Sequence, residues 1–175
     1  AVSKGFGFER DWKHIEENGK LGGADVSAVS DRAKSRGLPQ LGSLGAGNHF
    51  LDVMVVDELF DKKVARVFGL EVGQVVIMIH CGSRGLGHQI ASDYIKLMGE
   101  VAPRDNRGQM IDNRGNVMDR ELVHAPIKSE LGKKYLGAMA AAANFAFANK
   151  QLITHWVREN MKNYFPKFEA EVVYD

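Results

Sequence analysis

The sequence predicts an α+β fold in which mixed sheets are flanked by helices. Two apolar runs, at residues 50–56 and 74–79, have the length and the side chains of β-strands. Residues 129–164 instead carry an apolar pattern that is typical of a long helix. Because strands and helices do not alternate strictly along the chain, we expect an α+β protein rather than a doubly wound parallel sheet.

The composition is that of an ordinary globular protein. The chain has 175 residues, of which 45% are hydrophobic and 26% charged, enough to bury a sizeable core in a single domain. A formal net charge of +1 neither requires nor excludes nucleic acid, since a local basic patch can exist within a balanced total. The single cysteine, Cys81, rules out a disulfide within the chain. With no visible leader or membrane span, these features predict a cytoplasmic protein.

Three further elements are expected in the first half of the chain. Residues 11–18 predict a short helix that Gly19 ends. Residues 25–36 predict a second helix, with Asp25 or Ser27 as its N-cap and Gly37 as its stop. A further strand is expected at residues 64–70, and the strand at 74–79 should be buried, because its apolar residues do not alternate with polar ones.

In the second half, a helix is expected from residue 88 to about 100, followed by a polar excursion or hairpin at residues 103–120. The small residues at 137–144 should lie buried against another element of the fold. Residues 168–175 have a strand pattern that stops without a turn. The chain therefore resembles a piece cut from a longer domain, although a native terminal strand is an equal alternative.

Two glycine loops carry the candidate chemistry. The first, residues 41–49, ends in Gly45-Ala46-Gly47-Asn48-His49 and runs directly into a strand, so that His49 is a metal ligand, a general base or simply a turn residue. The second, residues 80–87, lies between a strand and a helix and contains Arg84, whose planar guanidinium suits phosphate. This second loop predicts a phosphate site, with a purely structural turn as the alternative.

The second loop matches neither standard nucleotide motif. His88 and Gln89 stand where a Walker A loop requires Lys and Ser or Thr, and the glycine order does not fit a dinucleotide fingerprint. The two histidines, His49 and His80, suggest a shared metal site, since Mn²⁺ accepts imidazole as well as carboxylate ligands. Two imidazoles cannot complete such a site, so further ligands must come from elsewhere.

The other candidate groups favour structural roles. Among the other histidines, we expect His14 at the surface, His124 in a loop and His155 in a packing role, while His88 should start a helix and secondarily contact phosphate. Cys81 should be a small buried side chain rather than a reactive thiol. The aromatic residues of the long helix should pack in the core: Phe145, Phe147, Trp156 and Tyr164.

Several blocks of the sequence together resemble the RtcB RNA ligases. The blocks are residues 17–19, 22–25, 36–50, 80–89 and 141–146, in the same order as in the family and spread over nearly the whole chain. The resemblance implies the α+β architecture of that family, with residues 1–175 as the central part of a single catalytic domain. It implies a cytoplasmic enzyme of tRNA splicing or RNA repair, whose partners are RNA ends and GTP.

The resemblance also implies roles for individual residues. His49 and His80 match ligands of a two-manganese centre, and the stretch Asn48, His49, Phe50, Leu51, Asp52 matches the guanine nucleotide site. The family usually has Glu where this chain has Asp52. Arg84, with Asn48 and, more weakly, Gln89, matches positions suited to RNA phosphate.

The family's reaction joins an RNA 3′-phosphate or 2′,3′-cyclic phosphate end to a 5′-hydroxyl end, through a guanylylated histidine formed from GTP. The family's Asp and Cys metal ligands, its third metal-binding histidine and its nucleophilic histidine are not found in this sequence. We therefore expect this chain alone to be inactive, dependent on the missing segments of the same protein. Two alternatives are a non-catalytic phosphate- or nucleotide-binding module and a metal-dependent phosphoesterase.

Overall fold

A computed structural model describes residues 1–175, which form two compact units. The first unit comprises Ala1–Leu21, Gln40–Arg84 and Asn144–Asp175, and the second comprises Gly22–Pro39 and Gly85–Ala143. Besides short 3₁₀ helices, the elements in chain order are α1 (Asp31–Gly37), β1 (Phe50–Val55), α2 (Lys62–Val67), β2 (Val75–His80), α3 (Arg84–Val101) and α4 (Glu130–Tyr164).

The two predicted strands are confirmed, and they form one antiparallel pair. Phe50 of β1 lies opposite His80 of β2, and Val55 lies opposite Val75. The α+β class is confirmed, although this single pair takes the place of the expected mixed sheets. The prediction that residues 74–79 are buried is wrong, since Val75 is 58% and Met78 50% exposed. Apolar side chains on both faces are typical of a buried strand, and for this reason the sequence pattern predicted burial.

The strand expected at residues 64–70 is wrong, because most of that segment belongs to the helix α2. The carboxylate of Asp61 accepts hydrogen bonds from the backbone N–H groups of Lys63 and Val64, which caps the first turn. Gly69 then takes a positive φ of 66°, and the chain turns back through a hydrogen bond from Leu70 N–H to the Ala65 carbonyl. Local capping outweighs the strand propensity of the two valines.

The two helices predicted near the N-terminus are shorter and differently formed. Residues 11–18 fall in two 3₁₀ helices, Glu9–His14 and Glu16–Gly19, separated by Ile15 in an extended conformation. The expected helix at 25–36 divides into a 3₁₀ turn, which Asp25 caps as predicted, and α1, which Ser30 caps. Extended backbone between these turns breaks the helical hydrogen-bond series.

The two long helices agree with the sequence analysis. α4 begins as expected, with the Ser129 hydroxyl accepting a hydrogen bond from Gly132 N–H at 3.1 Å. α3 starts at Arg84, one turn before the predicted residue 88. The polar excursion at 103–120 contains two isolated β-bridges, Arg104 with Met110 and Ile111 with Val117.

The C-terminal residues 168–175 form no strand, contrary to their pattern. Their end is fixed in the first unit by two backbone hydrogen bonds, in which Asp175 N–H donates to the His14 carbonyl and Glu16 N–H donates to the Asp175 carbonyl. Two isolated bonds of this kind do not make a ladder. No helix in the structure combines the length and the apolar character needed to cross a membrane.

The prediction that residues 137–144 of α4 are buried is confirmed for Gly137, Ala138, Ala140 and Ala142 but not for Met139, which is 42% exposed. Ala138 and Ala140 are 0% and 4% exposed, in the second unit, where Gly137 lies against Asp25. The prediction of core packing is wrong for Trp156 and Tyr164, which are 46% and 80% exposed. Aromatic side chains on a long helix are buried only where a second element covers that side of it.

The first unit is held together by a buried ion pair. Arg158 of α4 donates two hydrogen bonds, at 2.7 and 2.9 Å, to the carboxylate of Asp11. Gln151 donates a further hydrogen bond to the same carboxylate at 2.8 Å. Burial alone would raise the pKa of Asp11, but these bonds and one from Phe8 N–H lower it below its ordinary value.

Candidate metal and phosphate site

The antiparallel pairing of β1 and β2 brings the two candidate histidines together. His49 immediately precedes β1, and His80 is the last residue of β2, directly opposite Phe50. The start of one strand and the end of its antiparallel neighbour share one end of a sheet. As a result the ring centroids of His49 and His80 are 6.2 Å apart.

The spacing of the two rings suits metal ligands. A metal–imidazole bond is about 2.1 Å long, so two ligands of one ion have ring centres on the order of 5–6 Å apart. Neighbouring ions in a two-metal site are about 3.5–4 Å apart, which allows a somewhat larger spacing. The structure contains no group of three or more His, Cys, Asp or Glu side chains that could hold a metal. The spacing of His49 and His80 thus fits two ligands of one metal site, but no third His, Cys, Asp or Glu side chain lies near enough to complete it.

Arg84 reaches the same place from the second glycine loop. It opens α3 with a positive φ of 54°, unusual for a residue other than glycine. Its guanidinium donates hydrogen bonds to the Ser43 hydroxyl at 3.3 Å and to Nδ1 of His49 at 3.1 Å. A β-carbon on Gly45 would overlap the Arg84 guanidinium, and Gly45 has a φ of 109°. Gly45 is thus required both for its own backbone and for the position of Arg84.

The contact between Arg84 and His49 has a chemical consequence. A guanidinium can only donate, so Nδ1 of His49 is the acceptor, and the ring carries its proton on Nε2. While this hydrogen bond exists, neither nitrogen of His49 has a free lone pair. The Arg84 contact and a metal bond at His49 are therefore alternatives, because both need a lone pair of the same ring.

The charge of Arg84 is not balanced by a neighbouring carboxylate. Its two side-chain contacts are to a hydroxyl and an imidazole, and it takes part in none of the six salt bridges of the chain. The side chain is half-buried, at the first residue of α3. A partly desolvated guanidinium without an acidic partner favours the binding of an anion.

The predicted nucleotide-binding residues lie along β1 and just before it. Successive residues of a strand alternate between its two faces, so Phe50, Asp52 and His80 share one face of the sheet. The rings of Phe50 and His80 are stacked, with centroids 5.3 Å apart. Asn48 and Asp52 are exposed. Leu51 lies on the opposite face, across from Ile79.

Gln89, the weaker phosphate candidate, belongs to the second unit. Its side chain is 5% exposed. The amide oxygen accepts a hydrogen bond from Arg36 at 2.7 Å, and the amide nitrogen donates to Asp93, also at 2.7 Å. An amide nitrogen has a second N–H, so a phosphate contact need not break these bonds, but a side chain that is 5% exposed gives a ligand little access to it.

Asn149, which was not among the predicted site residues, contacts both glycine loops. Its side chain is completely buried. The amide oxygen accepts hydrogen bonds from the backbone N–H groups of Gly42 and Ser43, and the amide nitrogen lies 3.1 Å from the Gly82 carbonyl and 3.1 Å from Sγ of Cys81. One signal was available: an asparagine among the alanines and phenylalanines of a helix must find buried partners.

The remaining candidates have mainly packing or surface roles. Cys81 is half-buried, as a small side chain whose thiol donates to the Leu44 carbonyl at 2.9 Å. His155 packs edge-on against Phe6 and Trp156, as the sequence suggested. His14 and His124 are exposed, and His88 lies inside α3 with its ring 3.4 Å from the guanidinium of Arg36.

Comparisons with known proteins place the whole chain in one group. Residues 1–175 match the family described as tRNA-splicing ligase RtcB. The chain is 52% identical to the tRNA-splicing ligase RtcB of Thermococcus kodakarensis and 54% identical to that of Pyrococcus horikoshii, in each case over 100% of this chain. It covers 36% of the first relative and 20% of the second. The corresponding protein of Methanococcus maripaludis is 52% identical, with 36% of its length covered. The chain thus spans about a third or less of these curated relatives.

Proposed function

Since the chain belongs to the tRNA-splicing ligase RtcB family, we propose that it is the central part of the catalytic domain of an RNA ligase. The complete enzyme joins an RNA 3′-phosphate or 2′,3′-cyclic phosphate end to a 5′-hydroxyl end and depends on GTP and Mn²⁺. It acts in the cytoplasm, in tRNA splicing or RNA repair. Its partners are broken RNA ends, GTP and the segments of the same protein that lie outside residues 1–175.

One observation carries the proposal. The imidazoles of His49 and His80 have ring centroids 6.2 Å apart, and the guanidinium of Arg84 lies 3.1 Å from His49 with no carboxylate partner. Metal ligands and an unbalanced cation at one end of a sheet suit the transfer of a phosphate group, in which negative charge develops on several oxygens.

His49 and His80 would each supply one nitrogen ligand to the manganese centre. When bound, the metal would act as a Lewis acid and hold the reacting phosphate in place. The remaining ligands and the histidine that accepts GMP lie outside residues 1–175. For this reason the chain alone does not complete the reaction.

The guanine nucleotide would bind along the face of the sheet that carries Phe50, Asp52 and His80. Phe50 would pack near the base, and the exposed carboxylate of Asp52 would accept hydrogen bonds from guanine N–H groups. Asp52 is one methylene shorter than the glutamate usual in the family, so its approach to the base must be closer. Asn48 would face phosphate. Leu51 lies on the other face and would support the strand from behind.

Arg84 would bind the phosphate of the RNA end, with Asn48 beside it. Because Arg84 and a metal compete for His49, metal binding at His49 would release the guanidinium for the RNA phosphate. Gln89 is a weaker partner, since its side chain is only 5% exposed.

A labelling experiment tests the inactivity of the isolated chain. With GTP labelled in the α-phosphate and Mn²⁺, we expect no covalent label on residues 1–175, because the nucleophilic histidine is outside them. The same chain joined to the missing family segments should become labelled and should seal 3′-phosphate and 5′-hydroxyl RNA ends. Covalent labelling of the isolated chain would contradict the proposal.

A metal titration tests the proposed ligands. Ni²⁺ is a suitable probe for the isolated chain, because imidazole sites bind it more tightly than Mn²⁺. His49→Ala and His80→Ala should each remove the tightest Ni²⁺ site, whereas His124→Ala, which changes an exposed loop histidine, should leave it unchanged. Equal Ni²⁺ binding by all three variants would contradict the assignment.

A non-catalytic phosphate-binding module is the second candidate. It is favoured by the absence of any group of three potential metal ligands among residues 1–175. In that case inorganic phosphate would bind through Arg84 in the presence of a chelator, and Ni²⁺ binding would not depend on His49. A metal-dependent phosphoesterase would instead release phosphate from RNA 3′ ends without joining them, once the missing segments are restored.

A further inference from the structure

We propose that Asn149 is a positioning residue that fixes the two glycine loops relative to each other, and so sets the spacing of His49 and His80. The first loop comprises residues 41–49, and the part of the second loop that Asn149 contacts is residues 80–83, which precede α3. The inference rests on the proposed function, since it explains how the proposed metal ligands are held. Asn149 contacts neither imidazole and acts only through the loop backbones and Cys81.

The hydrogen bonds of Asn149 divide between the two loops. Its amide oxygen accepts from Gly42 N–H at 2.7 Å and from Ser43 N–H at 3.2 Å. Its amide nitrogen lies 3.2 Å from the Ser43 carbonyl, 3.1 Å from the Gly82 carbonyl and 3.1 Å from Sγ of Cys81. The acceptor of this amide therefore faces one loop, and its two N–H donors are shared among three acceptors in both loops, so that one side chain links the two.

The loops need such support from outside. In the first loop Gly42, Gly45 and Gly47 all have positive φ values, a conformation that no regular hydrogen-bond series maintains. Asn149, by contrast, lies within the 35-residue helix α4 and is completely buried. A helix is stiff compared with a glycine loop, so Asn149 provides a fixed reference for both.

The position of His49 and His80 depends on this arrangement. His49 ends the first loop, and His80 is the residue before Cys81, which Asn149 contacts directly. His80 is therefore adjacent to a contact of this amide, and His49 lies six residues after Ser43, the nearer of the two contacts in its loop. Without that amide both imidazoles would still be present, but the distance between them would no longer be fixed.

α4 contains a matched control in Asn144. Its side chain also holds a loop backbone, accepting from Leu21 N–H at 2.7 Å and donating to the Leu21 carbonyl at 2.9 Å. Asn144 contacts neither glycine loop. Asn144→Ala and Asn149→Ala therefore both remove a hydrogen-bonded amide from the same helix, half-buried at Asn144 and fully buried at Asn149, but only Asn149→Ala removes the link between the loops.

The single cysteine provides a measurement specific to the loops. Cys81 is the only thiol of the chain, so its alkylation rate under native conditions reports only on the second glycine loop. We expect Asn149→Ala to increase this rate about tenfold or more, because the Cys81 sulfur loses its contact with Asn149. Asn144→Ala should leave the rate within about twofold of the original protein. The rates are compared at several low urea concentrations, so that labelling through global unfolding is recognised by its denaturant dependence.

Ni²⁺ binding provides the functional measurement. Loss of groups that orient metal ligands typically weakens metal affinity by about 10–100-fold. We expect that range for Asn149→Ala and less than about a threefold change for Asn144→Ala. Asn149→Asp gives a second test, since it keeps an acceptor for Gly42 and Ser43 N–H but loses the donors to the Ser43 carbonyl and to the second loop. The amide resonance of Gly42 should then shift less than in Asn149→Ala, while Cys81 labelling increases.

The outcomes separate the two proposals. If the unmodified chain binds no Ni²⁺ through His49 and His80, the proposed function fails, and Cys81 labelling and the amide resonances still decide the role of Asn149. If the unmodified chain binds Ni²⁺ and Asn149→Ala binds it equally, with unchanged Cys81 labelling, the positioning role is overturned. Equal effects of Asn144→Ala and Asn149→Ala on both measurements would also overturn it.

Discussion

Arg158 and Arg84 are held in the same compact unit but in opposite electrostatic settings. Arg158 is 3% exposed and donates two hydrogen bonds to the carboxylate of Asp11, so its charge is fully paired. Arg84 is half-buried and bonds to a hydroxyl and an imidazole, neither of which carries a balancing negative charge. The first arrangement stabilises the fold, whereas the second leaves a cation available for a ligand.

The same comparison extends to the polar residues of α4. Gln151 completes the Asp11–Arg158 cluster, and Asn149, two residues earlier, reaches the glycine loops. One helix therefore supports both a closed ion pair and an open site. The difference teaches that a ligand-binding role is indicated where the charge of a partly buried group has no partner within the fold, as at Arg84, whereas a fully paired buried group such as Arg158 or Asn149 acts by holding other parts of the chain in place.

The largest expected effect is on the closed pair. Asp11→Ala leaves the guanidinium of Arg158 buried without its carboxylate, which should lower the free energy of unfolding by about 3–5 kcal/mol. Urea unfolding measures this loss, with Asp31→Ala as the control, because the side chain of Asp31 is fully exposed. Loss of less than about 1 kcal/mol on Asp11→Ala would remove the contrast between the two arginines.

The pH dependence of the same pair is the next largest effect. Hydrogen bonds from Arg158, Phe8 N–H and Gln151 outweigh burial and lower the pKa of Asp11 below its ordinary 3.8. A lowered folded-state pKa gives stability that is present above the unfolded-state value and is lost as the pH falls through the folded-state value. We expect the difference in stability between the original protein and Asp11→Asn to shrink below about pH 4. A difference in unfolding free energy that stays constant down to pH 2 would show that the hydrogen bonds from Arg158, Phe8 N–H and Gln151 do not lower the pKa of Asp11.

A smaller effect is expected where Arg84 meets the first glycine loop. Gly45→Ala forces a side chain onto a φ of 109° and into the space of the Arg84 guanidinium, which should cost about 1–3 kcal/mol. Gly47→Ala is the matched control, because Gly47 also has a positive φ but nothing lies near its missing β-carbon. Only Gly45→Ala should also weaken phosphate binding, as measured by calorimetry with a nucleoside 3′-monophosphate. Equal phosphate affinities in both variants would separate Arg84 from that site.

The smallest effect on stability is expected for the open arginine itself. Arg84→Met should change the free energy of unfolding by less than about 1 kcal/mol, because no carboxylate loses its partner. Affinity for a nucleoside 3′-monophosphate should nevertheless fall by about 10- to 100-fold, as expected for a lost charged hydrogen bond. Ni²⁺ affinity should rise, since Nδ1 of His49 is no longer occupied. A large loss of stability with unchanged phosphate affinity would mean that Arg84 resembles Arg158 after all.

Much of the local structure could be predicted from the sequence. The strands β1 and β2 and the helix α4 follow from short apolar runs and a long helical pattern. The segment at 64–70 could not be predicted correctly, because its valines favour a strand while the capping carboxylate of Asp61, three residues upstream, favours a helix. Ile15 and Val29 interrupt the expected N-terminal helices for a related reason, since the ends of a helix depend on hydrogen bonds that an apolar pattern does not record.

The candidate site was predicted in its residue types but not in its support. Glycine loops beside strands indicated His49, His80 and Arg84, and the resemblance to a known family gave them roles. Asn149 was not indicated, because it is separated from its partner Gly42 by 107 positions in the sequence. The role of Asn149 follows from the packing of α4 against the two glycine loops, which is a tertiary contact.

The sequence by itself determined the family, the two strands, the long helix and the kinds of side chain available for metal and phosphate. Only the tertiary structure decided that the ends of β1 and β2 meet, that Arg84 contacts His49 and that Asp11 pairs with Arg158. The physical reason is the range of the interactions. Strand and helix patterns arise between residues a few positions apart, whereas Asp11 and Arg158 are 147 positions apart and are brought together only when the whole unit packs.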